Sequence, residues 1–113
     1  MSVSATELTA KKCTACEGNT PPLTPQEIQE YLPAVPQWQL TDNGQMIRRK
    51  YKFPDFVTAM AFMQKVGELA EAEGHHPDLH LTGYRHVTIE LTTHAIGGLS
   101  SNDFIVAAKI DQL

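Results

Sequence analysis

Two pairs of short alternating segments, set either side of one long helical stripe, restrict this chain to very few folds. Trp38 to Leu40 and Gln45 to Phe53 read as strands joined by Asp42-Asn43-Gly44, and Asn-Gly is among the stronger short hairpin signals. Leu79 to Tyr84 and His86 to Thr93 read as a second pair. There Val87, Ile89 and Leu91 alternate with His86, Thr88, Glu90 and Thr92, giving one buried and one polar face. Between the pairs, Phe56, Ala59, Met60, Met63, Val66 and Ala70 recur at three- and four-residue intervals, which predicts a helix from Asp55 to Glu73. Phe62 and Leu69 widen its apolar arc, for a larger core or a subunit contact. Strands that come in adjacent pairs favour an antiparallel sheet. The expectation is an α+β domain: a four-stranded antiparallel sheet with three helices on one face, in the order α-β-β-α-β-β-α.

The other two helices announce themselves by their starts. In Leu23-Thr24-Pro25-Gln26-Glu27-Ile28, Thr24 can cap, Pro25 suits the first helical position and Glu27 closes a capping box. Leu23 and Ile28 are spaced as a hydrophobic staple, and Pro33 and Pro36 end the helix. Near the C-terminus Ser100 caps, Asp103 takes the capping-box position, and Leu99 faces Phe104 as a staple. Residues 1–22 carry Ser, Thr, Lys and Gly without an apolar period and read as a mobile or loosely draped tail. That leaves one domain over 23–113, a size that suits a modest core.

A formal charge of −4 and a pI near 5.6 argue against a nucleic-acid footprint. Within the second strand, Arg48, Lys50 and Lys52 share one side; Ile47, Tyr51 and Phe53 share the other, interrupted by Arg49. In an acidic chain such a basic row reads as a solvated face. No apolar run approaches a membrane span, and no basic-then-apolar leader opens the chain, so the expected location is cytoplasmic. Cys13 and Cys16 form a Cys-x-x-Cys pair with no second pair to complete a zinc site, and read as incidental or weakly structural.

Chemistry concentrates in Glu71-Ala72-Glu73-Gly74-His75-His76-Pro77, with His94 downstream at a strand end. Gly74 reads as the residue just past a helix C-terminus, and Pro77 forbids the helix from resuming. His75 and His76 are thereby held on a rigid turn, and His94 continues the polar parity of its strand. Imidazole moves protons near neutral pH. A metal site has weaker support: adjacent histidines rarely aim at one ion, and no His-Glu-x-x-His helix occurs. Acid–base chemistry without metal or cofactor is the better reading.

Glu71, three residues, His75-His76-Pro77, then Tyr84, nine residues, His94, eight residues and Asp103 closely resembles the signature of the pterin-4a-carbinolamine dehydratases. The likeness extends more loosely from about Leu23 to the C-terminus. It implies a 4a-hydroxytetrahydropterin substrate, converted to quinonoid dihydropterin and water in tetrahydrobiopterin recycling. It implies His75 and His94 as the proton-transfer pair, with His76 completing the catalytic set by holding and orienting the pterin. Glu71, Pro77 and Asp103 join His76 among the substrate-binding positions: Glu71 steadies an imidazolium or the polar edge of the ring, Pro77 fixes the turn, and Asp103 supports. It further implies self-association to a dimer or tetramer and functional coupling to an aromatic amino-acid hydroxylase. A non-catalytic pterin-binding or dimerisation/coactivator module is the alternative. Leu79, where some relatives carry an aromatic residue, and the longer Pro77-to-Tyr84 spacing bear on ring stacking and selectivity.

Overall fold

Asn43 and Gly44 both adopt left-handed backbone conformations, with φ of 57° and 84°, and so fold β1 (Gln39–Thr41) back onto β2 (Met46–Lys52). In the second hairpin Gly83 and Tyr84 do the same, at 53° and 55°, between β3 (Asp78–Thr82) and β4 (His86–Leu91). The computed structural model describes residues 3–14 and 20–113. Its one sheet has the order β1-β2-β4-β3, all antiparallel, so the two hairpins meet through β2 and β4. The β2–β4 register sets Ile47 opposite Leu91 and Tyr51 opposite Val87, while β3 sets Leu79 opposite Ile89. These side chains form the inward face.

Against that face lies α3 (Phe56–Glu73), capped by the Asp55 side chain, which accepts from Thr58 N. Ala59, Val66 and Ala70 are buried, with Phe62, Met63 and Leu69 packed beside them. The helical stripe was expected to include Phe56 and Met60, but these are 49 % and 45 % exposed, alongside Val57 at 76 %. Ala59 at the same end of the helix is completely buried, so Phe56, Met60 and Val57 are exposed because they turn away from the side that carries Ala59, Val66 and Ala70. The α2 helix (Pro25–Tyr31) has the anticipated capping box, Glu27 N to Thr24 Oγ1 and Thr24 N to Glu27 Oε1. The α4 helix (Ser101–Ile110) is buried almost throughout, and its Phe104 stacks on Tyr31 of α2.

Of the basic row of β2, Lys50 and Lys52 are exposed and Arg48 is paired. Arg48 pairs with Glu90 of β4, which also takes a hydrogen bond from His80 of β3 at 2.7 Å. Arg49, the residue that broke the apolar parity, lies over the Tyr51 ring and pairs with Asp111, which also accepts from Trp38 Nε1. One apparent flaw in the pattern thus ties the sheet to the end of α4.

The segment expected as a tail holds a further helix, α1 (Ala5–Thr9), capped by Ser4 and packed on α4. Its Leu8 is completely buried and belongs to the main core. A five-residue helix with one inward apolar side chain has no period to detect, which is why composition alone suggests a tail. Leu8→Ala should therefore lower unfolding stability by about 2–4 kcal/mol, read from urea denaturation. A change below about 0.5 kcal/mol, the size expected at an ordinary surface position, would show that α1 is not part of the core.

Candidate active site

The site begins with how α3 stops. Gly74 is left-handed at φ 66°; its N–H bonds Glu71 O, and the N–H of His75 reaches back to Ala70 O at 3.2 Å. This pair of bonds is a Schellman closure, which needs the left-handed glycine and fixes the direction of the next residue. His75 is thus aimed by the helix end itself. Its ring Nε2 lies 2.6 Å from Asp103 Oδ1, in the first turn of α4.

Asp103 is fully buried, and its second oxygen accepts from Ser100 N at 2.9 Å and from Thr93 Oγ1 at 2.8 Å. Thr93 also meets the Ser100 hydroxyl at 2.8 Å. A carboxylate only accepts, so the shared proton belongs to His75 Nε2, and Nδ1 is the nitrogen free to exchange one.

Thr93 supplies the other side of the site. It forms an antiparallel bridge with Gly98, closing the short turn that contains the 3₁₀ segment His94–Ile96. His94 follows Thr93 and is exposed, and its ring has no hydrogen-bond partner among the described residues. His75, His76 and His94 line one open cleft of about 410 Å³, together with Thr14, Gly74, Thr92, Thr93, Ala95 and Asn102. His76 is 61 % exposed, 3.4 Å from Glu71, itself 80 % exposed on the last turn of α3. Glu71 and Pro77 are not part of the lining, and Asp103 is covered by His75, so any influence of Asp103 on a bound molecule passes through that histidine.

Residues 21–113 match the family model described as pterin 4 alpha carbinolamine dehydratase. The chain belongs to that family. A protein of Methylococcus capsulatus, named provisionally as a pterin-4-alpha-carbinolamine dehydratase, is 50 % identical over 109 residues, covering 96 % of this chain and 95 % of that one. The Arabidopsis thaliana pterin-4-alpha-carbinolamine dehydratase 2, described as mitochondrial, is 43 % identical over 113 residues, covering 97 % of this chain and 60 % of its own. The crystal structure of a transcriptional coactivator/pterin dehydratase from Brucella melitensis superposes with a TM-score of 0.74 at 36 % identity. That match covers 80 % of this chain and 96 % of the other.

This dehydratase chain has side chains at the site that motif reading passes over: Thr93, Ser100, Asn102 and Thr14. For Thr93 a signal exists. It falls on the inward parity of Val87, Ile89 and Leu91, where a hydroxyl needs a buried partner. Thr14 comes from the N-terminal segment. Asn102 Oδ1 accepts from Thr14 N at 3.1 Å while its Nδ2 donates to Thr14 O at 2.5 Å. One residue earlier Cys13 N donates to Glu73 Oε1, and Lys109 pairs with Glu73 Oε2 at 2.7 Å. Cys16, the other half of the sequence pair, lies outside the described residues.

Burial alone would raise the Glu73 carboxyl. The Lys109 and Cys13 hydrogen bonds outweigh it and hold the carboxyl below its ordinary 4.5. A depressed carboxyl stabilises the fold above its unfolded value, and that contribution disappears as pH falls through the folded value. Glu73→Gln should therefore be destabilised at neutral pH, with the gap to wild type closing below 4.5. Urea midpoints between about pH 7 and about pH 3 read this directly, and a pH-independent gap would contradict it.

Proposed function

We propose that this dehydratase converts 4a-hydroxytetrahydropterin to quinonoid dihydropterin and water, with His75 and His94 as its proton-transfer pair. The observation that carries this reading is the cleft itself: His75 and His94 come from different elements yet line the same space. A volume of about 410 Å³ is in the range of small-molecule sites and suits a bicyclic ring.

The elimination needs two proton movements. One histidine takes the ring N–H proton next to C4a, and the electrons of that bond form the new C=N bond. The C4a–O bond breaks as the other histidine delivers a proton to the hydroxyl, which leaves as water. One imidazole gains a proton and the other loses one, so the site ends with unchanged total charge. Asp103 holds the His75 ring through its bond to Nε2, while the exposed His94 ring is open to water. In this reading His76, which lines the cleft 3.4 Å from Glu71, orients the polar edge of the ring.

Such proton transfers contribute on the order of 10² to 10⁴ in rate. His75→Ala and His94→Ala should each lower kcat by on the order of 10² or more, in proteins with wild-type far-UV circular dichroism. The double variant should fall little further, because residues acting as a unit are not additive. Asp103→Asn should lower kcat with a smaller change in KM, since it acts through His75. The assay follows the absorbance of freshly generated 4a-hydroxytetrahydropterin; folded wild type that does not accelerate its decay would sink the proposal. The outcome would then favour a pterin-binding or coactivator module; transcriptional coactivator is the other role named for the Brucella melitensis relative.

The reading places the chain in tetrahydropterin recycling, with an aromatic amino-acid hydroxylase as the source of the carbinolamine. It also includes self-association. β1 and β3 are edge strands, and Phe56, Val57 and Met60 leave an apolar patch on the first turn of α3. Light scattering after gel filtration at micromolar concentration should give at least the dimer mass, and a mass near 12.5 kDa would rule it out.

A further inference from the structure

The N-terminal segment after α1 is fastened where the site is assembled. Residues 11–14 cross from the C-terminal end of α3, at Glu73, to the first turn of α4, at Asn102. These are the same two elements that the His75–Asp103 bond joins. Asn102 is 3 % exposed, and its amide meets both backbone groups of Thr14, one as acceptor and one as donor. Cys13 adds a thiol contact to Asn102 O at 3.7 Å. An amide that satisfies the N–H and C=O of one residue resembles a rung of a β-ladder, and it fixes both position and rotation of that residue. The residue so fixed, Thr14, lines the cleft beside His75 and His94. The strap lies outside the 21–113 span matched by the family model.

Resting on the pterin reading above, we propose that residues 11–14 form a wall of the substrate cleft, and that Asn102 is a positioning residue that sets this wall against the bound pterin. Binding should tighten the strap, because a ligand favours the docked arrangement that completes its site, and by linkage the docked strap favours the ligand. Proton transfer remains with the histidines, so the strap affects KM more than kcat.

Cys13 offers a readout independent of turnover. Burial, with Glu73 beside it, pushes its thiol up to about 12, so the docked strap keeps it largely unreactive. In a Cys16→Ser background one thiol reports on docking. The experiment compares wild type, Asn102→Ala and Thr14→Pro, the last removing the Thr14 N–H without touching α4. For each, kcat and KM for 4a-hydroxytetrahydropterin are measured beside the rate of Cys13 alkylation, with and without a saturating stable dihydropterin.

The expected result is a KM raised about tenfold in both variants with kcat changed by less than about threefold, consistent with loss of one or two neutral hydrogen bonds. Cys13 alkylation should be faster in both variants, and the dihydropterin should slow it in wild type far more than in either. Wild-type KM in folded Asn102→Ala would overturn the proposal. So would a raised KM in Asn102→Ala but not in Thr14→Pro, which would mean that Asn102 acts on the pterin directly. Absence of dihydropterin protection in a wild type that turns over would also overturn it. A wild type without turnover sinks the dehydratase reading itself, so the two failures are distinguishable.

Discussion

A buried carboxylate is tolerated only when its acceptor capacity is used, and Asp103 uses it in a way that organises most of this molecule. Its hydrogen bond from Ser100 N closes the start of α4, its bond from Thr93 holds the end of the inner strand, and its bond from His75 holds the end of α3. The ends of three elements therefore converge on one side chain, two of them near it in sequence and the third, at His75, 28 residues away. Any shift of one would leave a polar group buried without a partner, at a cost of about 1–3 kcal/mol. That cost makes the junction specific as well as tight.

The same junction explains why the two histidines differ. His75 faces the carboxylate and is 12 % exposed, whereas His94 sits one residue beyond Thr93 and faces open solvent. Strand alternation does this: if Thr93 points inward to Asp103, its successor starts from the outward side. One imidazole is held by a buried carboxylate at 2.6 Å; the other lies in the open with no hydrogen-bond partner among the described residues. A pair with those unlike environments suits an elimination in which one proton is taken and another delivered.

Electrostatics elsewhere serves the fold. Arg48 of β2 is answered by Glu90, whose carboxyl burial would raise but which Arg48 and His80 together hold below its ordinary value. Arg49 is spent on Asp111 and Tyr51. No helix among the described residues is long and apolar enough to cross a membrane. Of the exposed large apolar side chains, Phe56, Val57 and Met60 gather at the start of α3, away from the helix end that carries His75, whereas Leu40, Tyr84 and Leu113 are scattered.

Much of this was legible along the chain because its causes are local. Asn43-Gly44, the capping boxes at Thr24 and Ser100, the glycine stop at Gly74 and the alternation of Val87, Ile89 and Leu91 each act within a few residues, so spacing alone reveals them. The histidine constellation was legible for the same reason: a helix stop and a strand end declare where His75, His76 and His94 must lie. The sheet order β1-β2-β4-β3, the exposure of Phe56 and Met60, the burial of Leu8 and the clamp of Asn102 on Thr14 were not. Each depends on which surfaces meet, and residues 88 positions apart leave no periodic trace of their contact. Asp103 stands at the boundary. Its capping position is written in the four residues from Ser100, but only packing decided that its other oxygen would be met by a histidine from the far end of a different helix.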